Sequence, residues 1–125
     1  MNKEEKDKNK DERLKKEISR LKGILNKLDK KRKKIAEPLI YRASFKRIEL
    51  EDMEKDLNEN GWVEMFSQSE KQDPYERQRP LAQAYVSLCT SYQKDIKQLM
   101  DLIPKEEKKT DSELEGINDF INGYK

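Results

Sequence analysis

The sequence predicts an all-α protein of long antiparallel helices, with an extended connector between two of them, that assembles with other copies through helix seams. Only 33% of its 125 residues are hydrophobic whereas 43% are charged, which is too polar for one chain to build a large private core. Apolar residues recur at helical steps of three and four. Prolines and an Asn-Gly pair interrupt the helical stretches. We therefore expect one helical domain whose ends are unpacked.

The N-terminal third divides into an arm and a helix. Residues 1–13 have no apolar stripe, so we expect a disordered charged arm. From Leu14 the apolar positions follow helical spacing, which predicts a basic amphipathic helix over 14–34. Pro38 indicates a kink or, preferably, the first turn of a second helix.

Residues 35–104 are predicted to form a helical hairpin core. The second helix runs from Pro38 to Asn60, because the following Gly61 is a strong stop signal. An extended connector, 61–79, contains a polar surface loop, and its Trp62 and Phe66 are expected to pack on the helices. The third helix lies between Pro80 and Pro104.

A near-heptad seam runs along the third helix, and an antiparallel hairpin with the apolar face of the second helix is expected to bury it. Its residues have the chemistry of a core and equally of a subunit interface, and the sequence does not choose between the two. The seam residues are Leu39, Leu50, Leu57, Leu81, Tyr85, Leu88, Tyr92, Ile96 and Leu99.

Residues 105–125 are predicted to be a flexible tail with a short amphipathic motif. A polar spacer precedes apolar residues at i, i+3, i+6, i+7 and i+10, a pattern typical of a segment that docks into a partner's groove. The alternative, that it folds back on the helices of its own chain, stays open. The motif residues are Leu114, Ile117, Phe120, Ile121 and Tyr124.

The basic residues are concentrated at the N-terminal end. Residues 1–34 hold 15 Lys/Arg against 7 Asp/Glu, although the whole chain has a net charge of only +2. Such a surface favours DNA, because cations that neutralise phosphates release counterions and give salt-sensitive binding. For residues 3–17 we prefer a solvated helix with ion pairs. The candidate DNA-binding residues are Lys15, Lys16, Arg20, Lys22, Lys27, Lys30, Lys31, Arg32, Lys33 and Lys34.

Nothing in the sequence predicts an enzyme or a cofactor. The chain has no histidine and a single cysteine, Cys89, which lies in an apolar helical pattern and is expected to be buried. Zinc-site spacings and the commonest general base are therefore missing, as are phosphate-binding and nucleophile motifs. Without such motifs, we expect no small-molecule substrate. The sequence has no signal peptide and no apolar run long enough for a membrane span, so we expect an intracellular protein.

Two stretches resemble the small terminase subunits of tailed bacteriophages and prophages. They are EDMEKDLNENGWVEMFSQSEKQDPYERQRP and AYVSLCTSYQKDIKQLMDLIPK, and with the basic N-terminal helix the similarity covers about residues 14–105. Its most specific part is the step from Tyr85 to Tyr92, followed by Ile-Lys-Gln-Leu and a closing Leu-Ile-Pro.

The resemblance implies a non-enzymatic subunit that assembles into a ring in the cytoplasm of the bacterial host. Such a subunit recognises double-stranded viral DNA and regulates the large terminase subunit, an ATPase and nuclease, during genome packaging. The tail motif, Leu114 to Tyr124, would then contact the large subunit. Many small terminases begin with a helix-turn-helix domain, which residues 1–34 do not provide. The alternative function is a structural coiled-coil or scaffolding protein with no DNA role.

Overall fold

The computed structural model describes residues 2–105, which form three helices and one two-stranded sheet. The elements are α1 (Lys3–Ile24), α2 (Lys30–Asn60), β1 (Val63–Phe66), β2 (Tyr75–Gln78) and α3 (Pro80–Asp101). Both α1 and α3 pack on α2. The helical class is as predicted, whereas the strands add a small sheet to an architecture expected to be all-α. The predicted tail motif, Leu114 to Tyr124, lies outside the described residues.

Helix α1 corrects the prediction of a disordered arm over residues 1–13. It begins at Lys3, where the Asn2 side chain accepts the Glu5 N–H at 2.8 Å. Its first half is held by ion pairs across to α2: Lys10 Nζ lies 2.6 Å from Glu49 Oε1, and Arg13 Nη1 lies 2.8 Å from Asp52 Oδ1. These ion pairs join this half of α1 to α2 in the absence of an apolar stripe, although partly exposed pairs contribute only about 0–1 kcal/mol each.

Helix α2 begins eight residues earlier than predicted. Asp29 caps it by accepting the Arg32 N–H at 2.8 Å, and Pro38 lies inside the helix. An interior proline costs one backbone hydrogen bond. Because Ala36 and Ile40 on either side of the exposed Pro38 are 1% and 4% exposed, their burial on one face offsets that cost. The basic run is therefore the start of α2 and not the end of α1.

The core lies where the second half of α1, the first half of α2 and the end of α3 meet. Leu25 and Leu28 are buried in the turn that joins α1 to α2, so this turn closes the core at one end. Half-buried side chains at the end of α3 pack against the same cluster. The cluster comprises Leu21, Leu25, Leu28, Ala36, Ile40, Ala43 and Leu99.

The predicted connector contains a β-hairpin. Gly61 ends α2 as predicted, with a φ of +84° and its N–H donated to the Leu57 carbonyl at 2.8 Å. Strands β1 and β2 are antiparallel with Glu64 opposite Arg77. The Arg77 guanidinium lies 3.4 Å from the Phe66 ring centroid and within 2.7 Å of the Glu64 carboxylate.

The expected packing of Trp62 and Phe66 on the helices is only partly formed. Trp62 is 47% exposed and meets the Tyr85 ring edge-on at 5.8 Å, whereas Phe66 packs within the hairpin. Arg79 fastens the base of the hairpin to α2, with Nη2 2.8 Å from Asp56 Oδ1. The hairpin therefore contacts the helices mainly at its base, through Trp62 and Arg79.

Helix α3 agrees with its predicted bounds, and its seam is less buried than expected. Leu50, Leu57 and Leu99 are buried. The other predicted seam residues, and Cys89, are only half-buried in this chain: Leu39, Leu81, Tyr85, Leu88, Tyr92 and Ile96.

Two polar residues on α2 and α3 are in contact beneath the surface. Asp95 on α3 is 6% exposed and lies 2.7 Å from Lys46 Nζ on α2. Helical spacing of apolar residues alone could not have identified this contact.

Candidate nucleic-acid interface

The basic run, Lys30–Lys34, forms the first turns of α2, and all five of its side chains are exposed. Its first turn contains no acidic residue. Unpaired backbone N–H groups give a helix N-terminus a partial positive charge, which repels cations and attracts anions. The run therefore adds five formal charges to the positive end of a 31-residue helix. The local potential is therefore strongly positive, and a bound phosphate would neutralise part of this charge.

One carboxylate offsets part of this charge. Asp29 Oδ2 lies 2.6 Å from Arg32 Nη1, while Asp29 Oδ1 accepts the Arg32 backbone N–H. That backbone hydrogen bond is the largest cause of the lowered pKa of Asp29, and the nearby guanidinium adds to it. Asp29 thus stays ionised and engages Arg32. The four lysines of the run make no ion pair with any other described residue.

The candidate cations of α1 do not all lie with the basic run. Lys22 and Lys33 line one concavity of 310 Å³ at the α1–α2 turn, whose floor includes Leu25 and Ile40. Arg20 is bound instead by Glu17, with two nitrogen–oxygen distances of 2.7 Å. Those bonds are the largest cause of the raised pKa of Arg20, to which Tyr92 of α3 also contributes. Of these two cations, only Lys22 shares a concavity with the basic run.

Lys15, Lys16 and Lys27 are exposed as well. None of them makes an ion pair within residues 2–105. Lys15 is seven residues before Lys22 and shares its face of α1. The lysines of this face extend the positive surface away from the turn.

Cations nearer the N-terminus are neutralised within the chain. The hydrogen bond to Glu49 is the largest cause of the raised pKa of Lys10, and the bond to Asp52 has the same role for Arg13. Burial is the largest influence on Asp52 and raises its pKa, but the Arg13 and Lys10 contacts together lower it below its usual value. The preference for ion pairs over DNA among residues 3–17 thus has a structural basis at Lys10 and Arg13.

Sequence reasoning missed one cation of this surface, Arg42. It is exposed on α2 and falls eight residues after Lys34 and eleven after Lys31, which places the three on one helix face. That spacing is visible in the sequence. It gains meaning only when α2 begins at Lys30, because a helix that starts at Pro38 does not contain Lys31 and Lys34.

The described residues carry no sign of a metal centre or a membrane span. Within residues 2–105, no group of three or more His, Cys, Asp or Glu side chains could hold a metal ion. In the same part of the chain, no helix is long and apolar enough to cross a membrane.

Comparison of the chain with protein-family models, curated proteins and solved structures found no match.

Proposed function

We propose that this chain is a small terminase subunit of a tailed phage or prophage, a non-catalytic oligomeric adaptor that binds viral DNA and regulates the large terminase ATPase/nuclease. The observation that carries the DNA-binding part is the cationic start of α2. Five exposed cations lie at the positive end of a long helix, with a single carboxylate to offset them. Such a concentration of charge gives a positive local potential that attracts anions.

The distribution of the other charges supports duplex DNA as that anion. Acidic residues of α2 engage the cations of the first half of α1, and the cations around the α1–α2 turn remain exposed. A surface of exposed lysines recognises the phosphate backbone and carries little base information. We therefore expect binding that depends steeply on salt and weakly on sequence.

The half-buried seam of α3 supports the oligomeric part of the proposal. Leu81, Leu88 and Ile96 keep part of their apolar surface exposed in a chain with few apolar residues. Burying that surface against other copies would stabilise the fold. Several copies on one duplex would also raise a weak phosphate affinity by about a hundredfold or more.

The test changes Lys31, Arg32, Lys33 and Lys34 together to Ala. The matched control changes Lys55, Lys71, Lys94 and Lys97 to Ala, which removes the same charge from exposed positions elsewhere. Binding to a short duplex is measured by fluorescence anisotropy from low to moderate salt, and oligomeric mass is measured by light scattering.

We expect the α2 variant to keep its mass and to bind the duplex about tenfold or more weakly. Its salt dependence should also flatten, by up to about 0.9 in slope for each phosphate that the variant no longer neutralises. The control should weaken much less. Equal weakening in both variants would mean that net charge alone attracts DNA. Unchanged affinity in the α2 variant would reject this interface and favour the scaffolding alternative.

A further inference from the structure

The outer face of α2 carries an apolar stripe that nothing in residues 2–105 covers. Ile35, Tyr41 and Phe45 are 57%, 55% and 48% exposed, and with Pro38 they follow helical spacing of i, i+3, i+6 and i+10. Pro38, Tyr41 and Phe45 line an open groove of 690 Å³. Contiguous exposed apolar surface of this kind is typical of a binding site.

Charges around the stripe restrict its occupant. Lys31 and Lys34 continue the same face toward the start of α2, and the groove itself is lined by one cation, Arg42, and one carboxylate, Glu37. Beyond the other end of the stripe, Glu49 and Asp52 are engaged by Lys10 of α1. The open end of the face is therefore cationic, and it suits an apolar segment that carries acidic residues.

One segment of this chain has that composition. Residues 110–124 contain four acidic residues and no Lys or Arg. Its apolar residues, from Leu114 to Tyr124, recur at i, i+3, i+6, i+7 and i+10, a spacing that matches the α2 stripe. The acidic residues are Asp111, Glu113, Glu115 and Asp119.

The described chain ends at a position from which this segment can reach α2. Leu102 and Ile103, just after α3, pack against the cluster that contains Ala36 and Ile40, so the described chain ends beside the first half of α2. The five residues 106–110, which precede the docked segment, can span roughly 16–18 Å when extended. That length exceeds the width of a helix, about 10–12 Å with its side chains. The segment can therefore reach the outer face of α2 in its own chain.

We propose that residues 111–124 dock on this face of α2, with their apolar residues over Pro38, Tyr41 and Phe45 and their carboxylates beside Lys31, Lys34 and Arg42. The docked segment competes with phosphate for Lys31 and Lys34. A partner that binds the apolar motif removes the segment from α2 and exposes these lysines. The docking itself does not depend on the proposed DNA role.

The test is amide hydrogen exchange in the full-length protein. We expect amides of residues 111–124 to exchange about tenfold or more slowly than in an unstructured peptide, since docking would order them. Phe45→Ser should abolish this protection. Val86→Ser is the matched control, because Val86 on α3 is 54% exposed and lies off the α2 face. A Lys31→Glu/Lys34→Glu variant should weaken protection through charge alone.

Each outcome either supports or overturns the proposed docking. Protection that Phe45→Ser removes, that Val86→Ser leaves intact and that does not change on dilution supports it. Unprotected amides in the wild type overturn it, as does protection that survives Phe45→Ser. Protection that falls on dilution overturns docking within one chain and assigns the face to a second copy. Confirmed docking that leaves duplex affinity unchanged in Phe45→Ser would reject the competition with phosphate and retain the docking.

Discussion

At the scale of single residues, the contact between Lys46 and Asp95 is a polar interaction whose removal we expect to destabilise the fold. The Lys46 and Asp95 side chains are only 16% and 9% exposed, their charged atoms are 2.7 Å apart, and Lys46 also donates to Ser91 Oγ at 2.5 Å. Removing one partner of a buried pair leaves an uncompensated charge. We expect Asp95→Ala to lower the free energy of unfolding in urea by about 3 kcal/mol, moderated because Lys46 can extend toward solvent.

The control for this pair replaces both partners. Lys46→Met/Asp95→Leu has no buried charge, and we expect its free energy of unfolding to lie within about 1 kcal/mol of the wild type. Lys94→Ala, at an exposed position on the same helix, should change it by less than about 0.5 kcal/mol. A double variant as unstable as Asp95→Ala would mean that the pair itself, and not an orphaned charge, stabilises the α2–α3 interface.

At the scale of elements, the first half of α1 is expected to depend on pH. The folded pKa of Asp52 is lowered, since Arg13 and Lys10 outweigh its burial. A carboxyl group with a lowered folded pKa stabilises the fold above its unfolded pKa, near 3.9, and loses that contribution as pH falls toward the folded value. We therefore expect wild type and Asp52→Asn to differ in unfolding free energy at pH 7 and to converge as pH falls below about 3.9 and through the folded pKa.

The experiment compares urea unfolding of the two proteins across that pH range, with amide exchange of residues 3–13 as a local readout. Asp73→Asn, at an exposed position in the turn between β1 and β2, controls for the removal of one negative charge. A constant difference between wild type and Asp52→Asn from pH 7 down to about pH 2 would contradict a titrating ion pair.

The elements also differ in how far the sequence predicts them. Pro80 and Gly61 act locally, so the start of α3 and the end of α2 could be placed from the residues themselves. The first half of α1 has a local cap at Asn2, but its contacts with α2 are ion pairs with residues nearly forty positions away. Two local signals compete for the start of α2, Asp29 as a cap and Pro38 as a first turn, and the burial of Ala36 and Ile40 decides between them.

The hairpin and the basic run also depend on contacts or helix bounds that local residues do not reveal. Strands of four residues give too short an alternation to recognise, and β1 and β2 are held by Arg77 contacts that cross between them. The exposure of Lys30–Lys34 was predictable from composition. Their position at a helix N-terminus was not, because it required α2 to begin at Lys30.

At the scale of the whole molecule, α2 is the central helix and its two neighbours are packed unequally. Helix α1 contributes to the core through its second half and by ion pairs in its first. Only Ala82, Asp95 and Leu99 of α3 are buried. Apolar surface therefore remains partly exposed along α3, as it does on the outer face of α2.

The oligomeric proposal can be tested with two leucines of α3 that differ in burial. Leu99 is 3% exposed, so Leu99→Ala should cost about 2–5 kcal/mol through reduced burial and a cavity, whatever the oligomeric state. Leu88 is half-buried within the chain. Leu88→Ala should cost less than Leu99→Ala within one subunit, because part of the Leu88 surface is already in water. If copies assemble through α3, the same change should instead weaken the assembly.

We expect multi-angle light scattering at micromolar concentration to give a discrete oligomer for the wild type. Leu88→Ala should lower the mass on dilution while its helical circular dichroism is retained, since the packing that it removes lies between subunits. A wild-type monomer would reject assembly and leave α3 as the outer helix of a single-chain bundle. An oligomer whose mass Leu88→Ala does not change would keep the assembly and exclude the Leu88 position of α3 from its interface.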